Sequence, residues 1–123
     1  MRWALAIGLL CFAAPASAAD QFDLLCNGDG EAQHYRIDLI RGEWCFGKCE
    51  NVQRIASFTS GMITLAEHRP AYQGDSTSYN RVNRLTGEWT WYNFDPRYTA
   101  VMDIKGTCEP APFSGFGTAA AKF

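Results

Sequence analysis

Charge of one sign is scarce in this sequence. Eleven Lys and Arg stand against thirteen Asp and Glu in 123 residues, a net charge of −2, and no run of either sign occurs. That balance leaves no electrostatic footprint for nucleic acid or an acidic membrane surface. Histidine is almost absent: His34 and His68 are the only two, with neither an HxH nor an HExxH spacing, so no metal ligand set is written in the chain. Ser76, in Gly74-Asp75-Ser76, lacks the glycine pattern of a nucleophile elbow. Paired carboxylates for glycoside cleavage need one acid in an apolar pocket, whereas Glu88 is claimed by Arg84 and Asp103 by an outward strand position. No stretch carries a helical stripe. These absences point to a protein that is not an enzyme and uses no cofactor or metal.

Long apolar runs are missing too, except at the start. Arg2, an apolar run over residues 3–14, Pro15 and then Ala16-Ser17-Ala18 form a secretory signal pattern, cut after Ala18 or Ala19. A membrane-spanning helix would need about 20 apolar residues. Residues 1–19 are therefore expected to be a signal peptide, and the mature protein to be periplasmic or secreted with no membrane span. Loss of Arg2 leaves 10 basic against 13 acidic residues, a net charge of −3.

Four cysteines survive that cleavage: Cys26, Cys45, Cys49 and Cys108. An even number in a small exported domain reads as two disulfides, with three pairings open. The expected pairing is Cys26–Cys108, tying the first strand to the last, with Cys45–Cys49 closing a tight loop around Gly47. Chain entropy makes the long bridge worth about 4.5 kcal/mol and the short one about 2 kcal/mol. Three residues separate Cys45 from Cys49, which fits a structural bridge better than a redox pair.

Apolar and polar residues alternate over residues 21–27, 31–40 and 99–108, which reads as strands. Asn27-Gly28-Asp29-Gly30 is a dense turn signal. Residues 52–58 and 62–67 form a hairpin if Thr59-Ser60-Gly61 is its loop, with Ile55 opposite Leu65 and Ser57 opposite Ile63. The central hairpin spans residues 78–94. Arg84-Leu85-Thr86-Gly87 fits a type I turn closed by a left-handed glycine, placing Arg84 opposite Glu88, Val82 opposite Thr90 and Arg81 opposite Trp91. The expectation is an all-β domain over residues 20–109: about seven antiparallel strands in a meander closed as a small barrel or a sandwich. Residues 110–123 are expected to be a flexible C-terminal tail, its first part pinned by Phe113 and Phe116.

That hairpin register puts Tyr79, Arg81, Trp89 and Trp91 on one face. They are the candidate binding strip, with aromatic surface suited to a protein, glycan or cell-wall partner. The competing reading makes both tryptophans core, because a small domain needs large buried side chains.

Phe22-Asp23-Leu24-Leu25-Cys26, Tyr35-Arg36-Ile37-Asp38-Leu39, Asn83-Arg84-Leu85-Thr86-Gly87, Gly106-Thr107-Cys108-Glu109 and Pro112-Phe113-Ser114-Gly115 together resemble a pattern of small uncharacterised exported proteins of Gram-negative bacteria. Those motifs are strand starts, turns and cysteines, so the resemblance implies a fold and no activity. In size, export and disulfide use the chain is more loosely similar to the periplasmic β-barrel inhibitors of lysozyme, whose serine-and-glycine key loop has no match here. The expected function is non-enzymatic binding of a protein or envelope component. The alternatives are a barrel-type carrier of a small ligand, lined by Phe22, Tyr35, Ile37 and Met102, and a lysozyme-type hydrolase inhibitor.

Overall fold

The alternating stretches form strands in a computed structural model, which describes residues 19–117. The expected signal peptide, up to residue 18, and residues 118–123 of the expected tail lie outside the described residues. Nine antiparallel strands make one sheet: β1 (Gln21–Gly28), β2 (Glu31–Asp38), β3 (Glu43–Phe46), β4 (Gln53–Arg54), β5 (Ser57–Phe58), β6 (Met62–His68), β7 (Thr77–Asn83), β8 (Glu88–Asp95) and β9 (Ala100–Ala111). No helix occurs among the described residues. The spatial order is β4-β3-β2-β1-β9-β8-β7-β6-β5. The first strand thus lies beside the last, and β4 and β5, consecutive in the chain, lie at opposite edges.

This corrects the expected seven strands and their closure. Residues 43–46 form a strand of their own, and residues 52–58 divide into two short ones with different partners. Gln53 and Arg54 pair with Trp44 and Glu43 of β3, whereas Ser57 and Phe58 pair with Thr64 and Ile63 of β6. Between them Ile55 donates its N–H to Gly42 (2.8 Å) and Ala56 donates to Leu65 (3.2 Å). No ladder joins β4 to β5, so the sheet is a curled, open half-barrel. The chain passes between its two edges through Ile55 and Ala56. The register is also one residue from the expected pairs of Ile55 with Leu65 and Ser57 with Ile63.

The central hairpin is corrected in the same way. Val82 faces Trp89, Arg81 faces Thr90, Asn80 faces Trp91 and Tyr79 faces Tyr92. Gly87 is left-handed as expected (φ 78°), but the loop between the strands holds the four residues 84–87. Asn83 sets that length: its Oδ1 accepts from the N–H groups of Leu85 (2.9 Å) and Thr86 (3.1 Å). Its carbonyl accepts from Gly87 (2.8 Å). Because partners in an antiparallel pair share a face, the one-residue shift carries Trp89 and Trp91 inward with Val82 and Asn80. Tyr79 and Arg81 go outward with Tyr92 and Thr90.

The concave face holds the core. Leu24, Tyr35, Ile37, Trp44, Ile63, Leu65, Val82, Trp89 and Ile104 are buried there, with Phe22, Leu39, Ile55, Trp91 and Met102 packed against them. Tyr35 meets Trp44 and Trp89 edge to face, with centroids 5.7 and 6.1 Å apart. Its hydroxyl accepts from Asn80 Nδ2 (2.9 Å), and Asn80 Oδ1 accepts from Trp89 Nε1 (2.9 Å). That network joins β2 to β7 and β8 across the interior. Burial pushes the Tyr35 phenol up to about 12, against the hydrogen bond from Asn80.

Both disulfides are the expected ones, Cys26–Cys108 and Cys45–Cys49. The first joins residues directly opposite each other in the β1–β9 pair. Next to it Gly28 and Gly106 cross so closely that a Cβ on Gly106 would lie 2.0 Å from the Asn27 carbonyl oxygen. Only glycine allows that approach.

Candidate functional site: the open end of the half-barrel

Strand lengths create the site. β8 begins at Glu88, opposite Thr107, while β9 continues beside β1 to Ala111, opposite Asp23. At this step the concave face is not filled, and a cleft of about 440 Å³ opens. Buried Leu24, Ile63, Val82 and Cys108 form its deep part. Phe22 and Pro110 line one side; Ser60, Asn83, Arg84, Leu85 and Gly87 line the side made by the two hairpin loops. The volume falls within the usual range for small-molecule sites, about 300–1,000 Å³, and the mostly apolar lining with a few polar groups is their usual chemistry.

The loop side of the cleft is held firmly. Arg84 donates its backbone N–H to Gly61 (2.9 Å) and its Nη1 to the Thr59 carbonyl (2.8 Å). Thr59 Oγ1 accepts from Gly61 and Met62 (3.2 and 3.1 Å). The two loops therefore form one rim. The expected Arg84–Glu88 pair is absent, because the corrected register moves Glu88 away. Among the described residues no carboxylate forms an ion pair with Arg84. The polar groups lining the cleft, Ser60, Asn83 and Arg84, include one cation and no anion.

The expected binding strip is divided between two faces. Trp89 is buried at 1 % exposure and Trp91 is half-buried beside it, both on the concave side. On the outer face Tyr79 and Tyr92 stack, with centroids 5.1 Å apart and rings inclined by 21°. The Arg81 guanidinium lies 3.9 Å from the Tyr79 centroid. Tyr79 and Arg81 thus remain together, joined by Tyr92. Of the four residues expected to line a carrier cavity, Phe22 alone lines the cleft; Tyr35, Ile37 and Met102 belong to the filled part of the face.

A second polar cluster sits on the outer face of β1 and β2. Asp23 Oδ2 accepts from His34 Nε2 (2.6 Å) and Ser114 Oγ (2.5 Å), and Oδ1 from the Ser114 N–H (3.1 Å). Arg36 donates to the carbonyls of Gly115 (2.7 Å) and Gly47 (3.1 Å). Burial raises the Asp23 carboxyl, but the bonds from Ser114 and His34 outweigh it and hold the group below its ordinary value. Serine and histidine both point at the carboxylate, so the cluster clasps the chain to the sheet. It fixes residues 114–115 to the sheet, and β9 itself runs to Ala111. Within the expected tail, Phe113 and Phe116 are in edge-to-face contact.

His68, the last residue of β6, donates to Asp75 (3.1 Å) in the loop that follows, where Ser76 gives Asp75 its N–H. Among the described residues no group of three or more His, Cys, Asp or Glu could hold a metal ion, and no helix is long and apolar enough to cross a membrane. Two disulfides suit an oxidising compartment. No family model, curated protein or solved structure matches the chain.

Proposed function

We propose that this protein is a non-enzymatic β domain, exported to the periplasm or beyond, that binds a small component of the cell envelope in the open end of its half-barrel. The observation that carries this reading is the apolar cleft of about 440 Å³ bounded by two tied loops. A carrier needs a cavity that side chains leave empty, and small barrels ordinarily fill theirs. A neutral apolar fluorophore, N-phenyl-1-naphthylamine, tests it. Titration should give saturable fluorescence enhancement, and Val82→Phe, which projects a ring into the cleft, should remove it while the circular dichroism stays unchanged. Unsaturable or unaltered enhancement in Val82→Phe would overturn the reading.

A second reading, protein recognition, is supported by the outer surface of β7 and β8. There the Tyr79–Tyr92 stack and Arg81, whose Nε is buried without a partner, give an aromatic and cationic patch of the type enriched in interfaces. Tyr92→Ala with Arg81→Ala would abolish capture of an envelope protein under this reading and leave dye binding intact.

A further inference from the structure

The cleft has a chemical polarity. Its deep part is hydrocarbon: Leu24, Ile63 and Val82, beside the Cys26–Cys108 bridge. Its rim carries Arg84, a cation with no carboxylate partner among the described residues. The Nη1 group of Arg84 is held by the Thr59 carbonyl, which fixes the guanidinium at the rim and leaves further donors of its five unused. Asn83 spends its Oδ1 on the loop backbone, so the amide nitrogen is the end left to a ligand. The available polar groups are therefore donors and positive charge, at one end of an apolar slot.

We infer that the ligand is an anionic amphiphile, with a carboxylate or similar headgroup on Arg84 and a hydrocarbon chain directed toward Leu24, Ile63 and Val82. This rests on the cleft being the binding site. Charge complementarity selects the headgroup: a cation would be repelled by Arg84, and a neutral head would forgo the ion pair that strengthens a guanidinium–carboxylate hydrogen bond. Apolar burial holds the chain and does not discriminate among headgroups. Arg84 thus sets specificity, while the deep side chains supply affinity.

The experiment displaces N-phenyl-1-naphthylamine from the purified, oxidised protein with decanoate, decanol and decylamine, all below their aggregation concentrations. Decanoate should displace the dye at a concentration about tenfold lower than decanol, as one charge-assisted bond implies, with decylamine weakest. Arg84→Gln should raise the decanoate concentration about tenfold and leave decanol unchanged, which also reports that the rim is still formed. Equal displacement by all three, or equal weakening of all three in Arg84→Gln, would overturn the headgroup assignment while leaving the cleft as a site. Dye binding with no displacement by any of them would exclude linear amphiphiles. Absence of saturable dye binding would remove the cleft reading itself.

Discussion

The centre and the open end of the concave face are built by the same strands, yet one is filled and the other is not. At the centre Tyr35, Trp44, Trp89 and Trp91 reach across the curl, and Asn80 ties Tyr35 to Trp89. At the end the facing residues are Leu24, Ile63, Val82 and Cys108, and a cleft of about 440 Å³ remains between them. Two things differ: at the open end β8 starts short of the end of β9, and the buried residues facing inward there are shorter than the central rings.

The Cys26–Cys108 bridge belongs to the open end, where Cys108 lines the cleft. Replacing both cysteines by alanine should cost about 4.5 kcal/mol in chemical denaturation, against about 2 kcal/mol for Cys45 and Cys49; equal losses would show that loop length does not set their worth. Next in size is Asn80→Leu, which strands the Tyr35 hydroxyl and the Trp89 N–H and should cost roughly 2–4 kcal/mol. A smaller loss would mean that water satisfies the centre, and the contrast with the end would weaken.

Alkali probes the same centre. The fold keeps Tyr35 protonated up to about 12, whereas its ordinary value is 10.0. Between those limits the unfolded chain has released the proton and the folded one has not, so stability should fall across that window. Tyr35→Phe should lack this slope. Enlargement then separates the regions directly. Ile37→Phe, in the filled part, should cost about 1–3 kcal/mol, while Val82→Phe, beside the cleft, should change stability by less than about 1 kcal/mol.

The smallest effect lies outside both regions, in the clasp on Asp23. Its lowered carboxyl contributes stability above the ordinary value of 3.8 and loses it as the pH falls below that value through the folded one. Asp23→Asn should remove this acid slope and Ser114→Ala should reduce it, measured as denaturation midpoint against pH. An unchanged slope in both would show that other carboxylates govern acid sensitivity.

Much of the sheet was legible in the chain. Alternation marked β1, β2 and β9, and the Asp29-Gly30 turn takes positive φ at both residues (49° and 80°), as a two-residue hairpin demands. The cysteine pairing followed from placing the first strand beside the last. The central register did not follow from Gly87, because a left-handed glycine closes a three- or a four-residue loop, and Asn83 chose the longer one. Residues 53–58 exchange partners midway, and local alternation carries no record of a partner. The cleft was less legible still: it arises where β8 starts short of the end of β9, a relation between strands distant in sequence. The clasp was hidden for a related reason, since Asp23 and Ser114 are 91 positions apart.

The seam between β4 and β5 also bears on how this molecule meets others of its kind. The outermost strand at each edge is two residues long, and the two are consecutive in the chain. Exposed edges of sheets are templates on which further strands add, and brevity is one of the ways proteins blunt them. Here a single six-residue run, residues 53–58, supplies the outermost strand at both edges. Ile55 and Ala56 thus place the turn between the two edge strands on the seam itself.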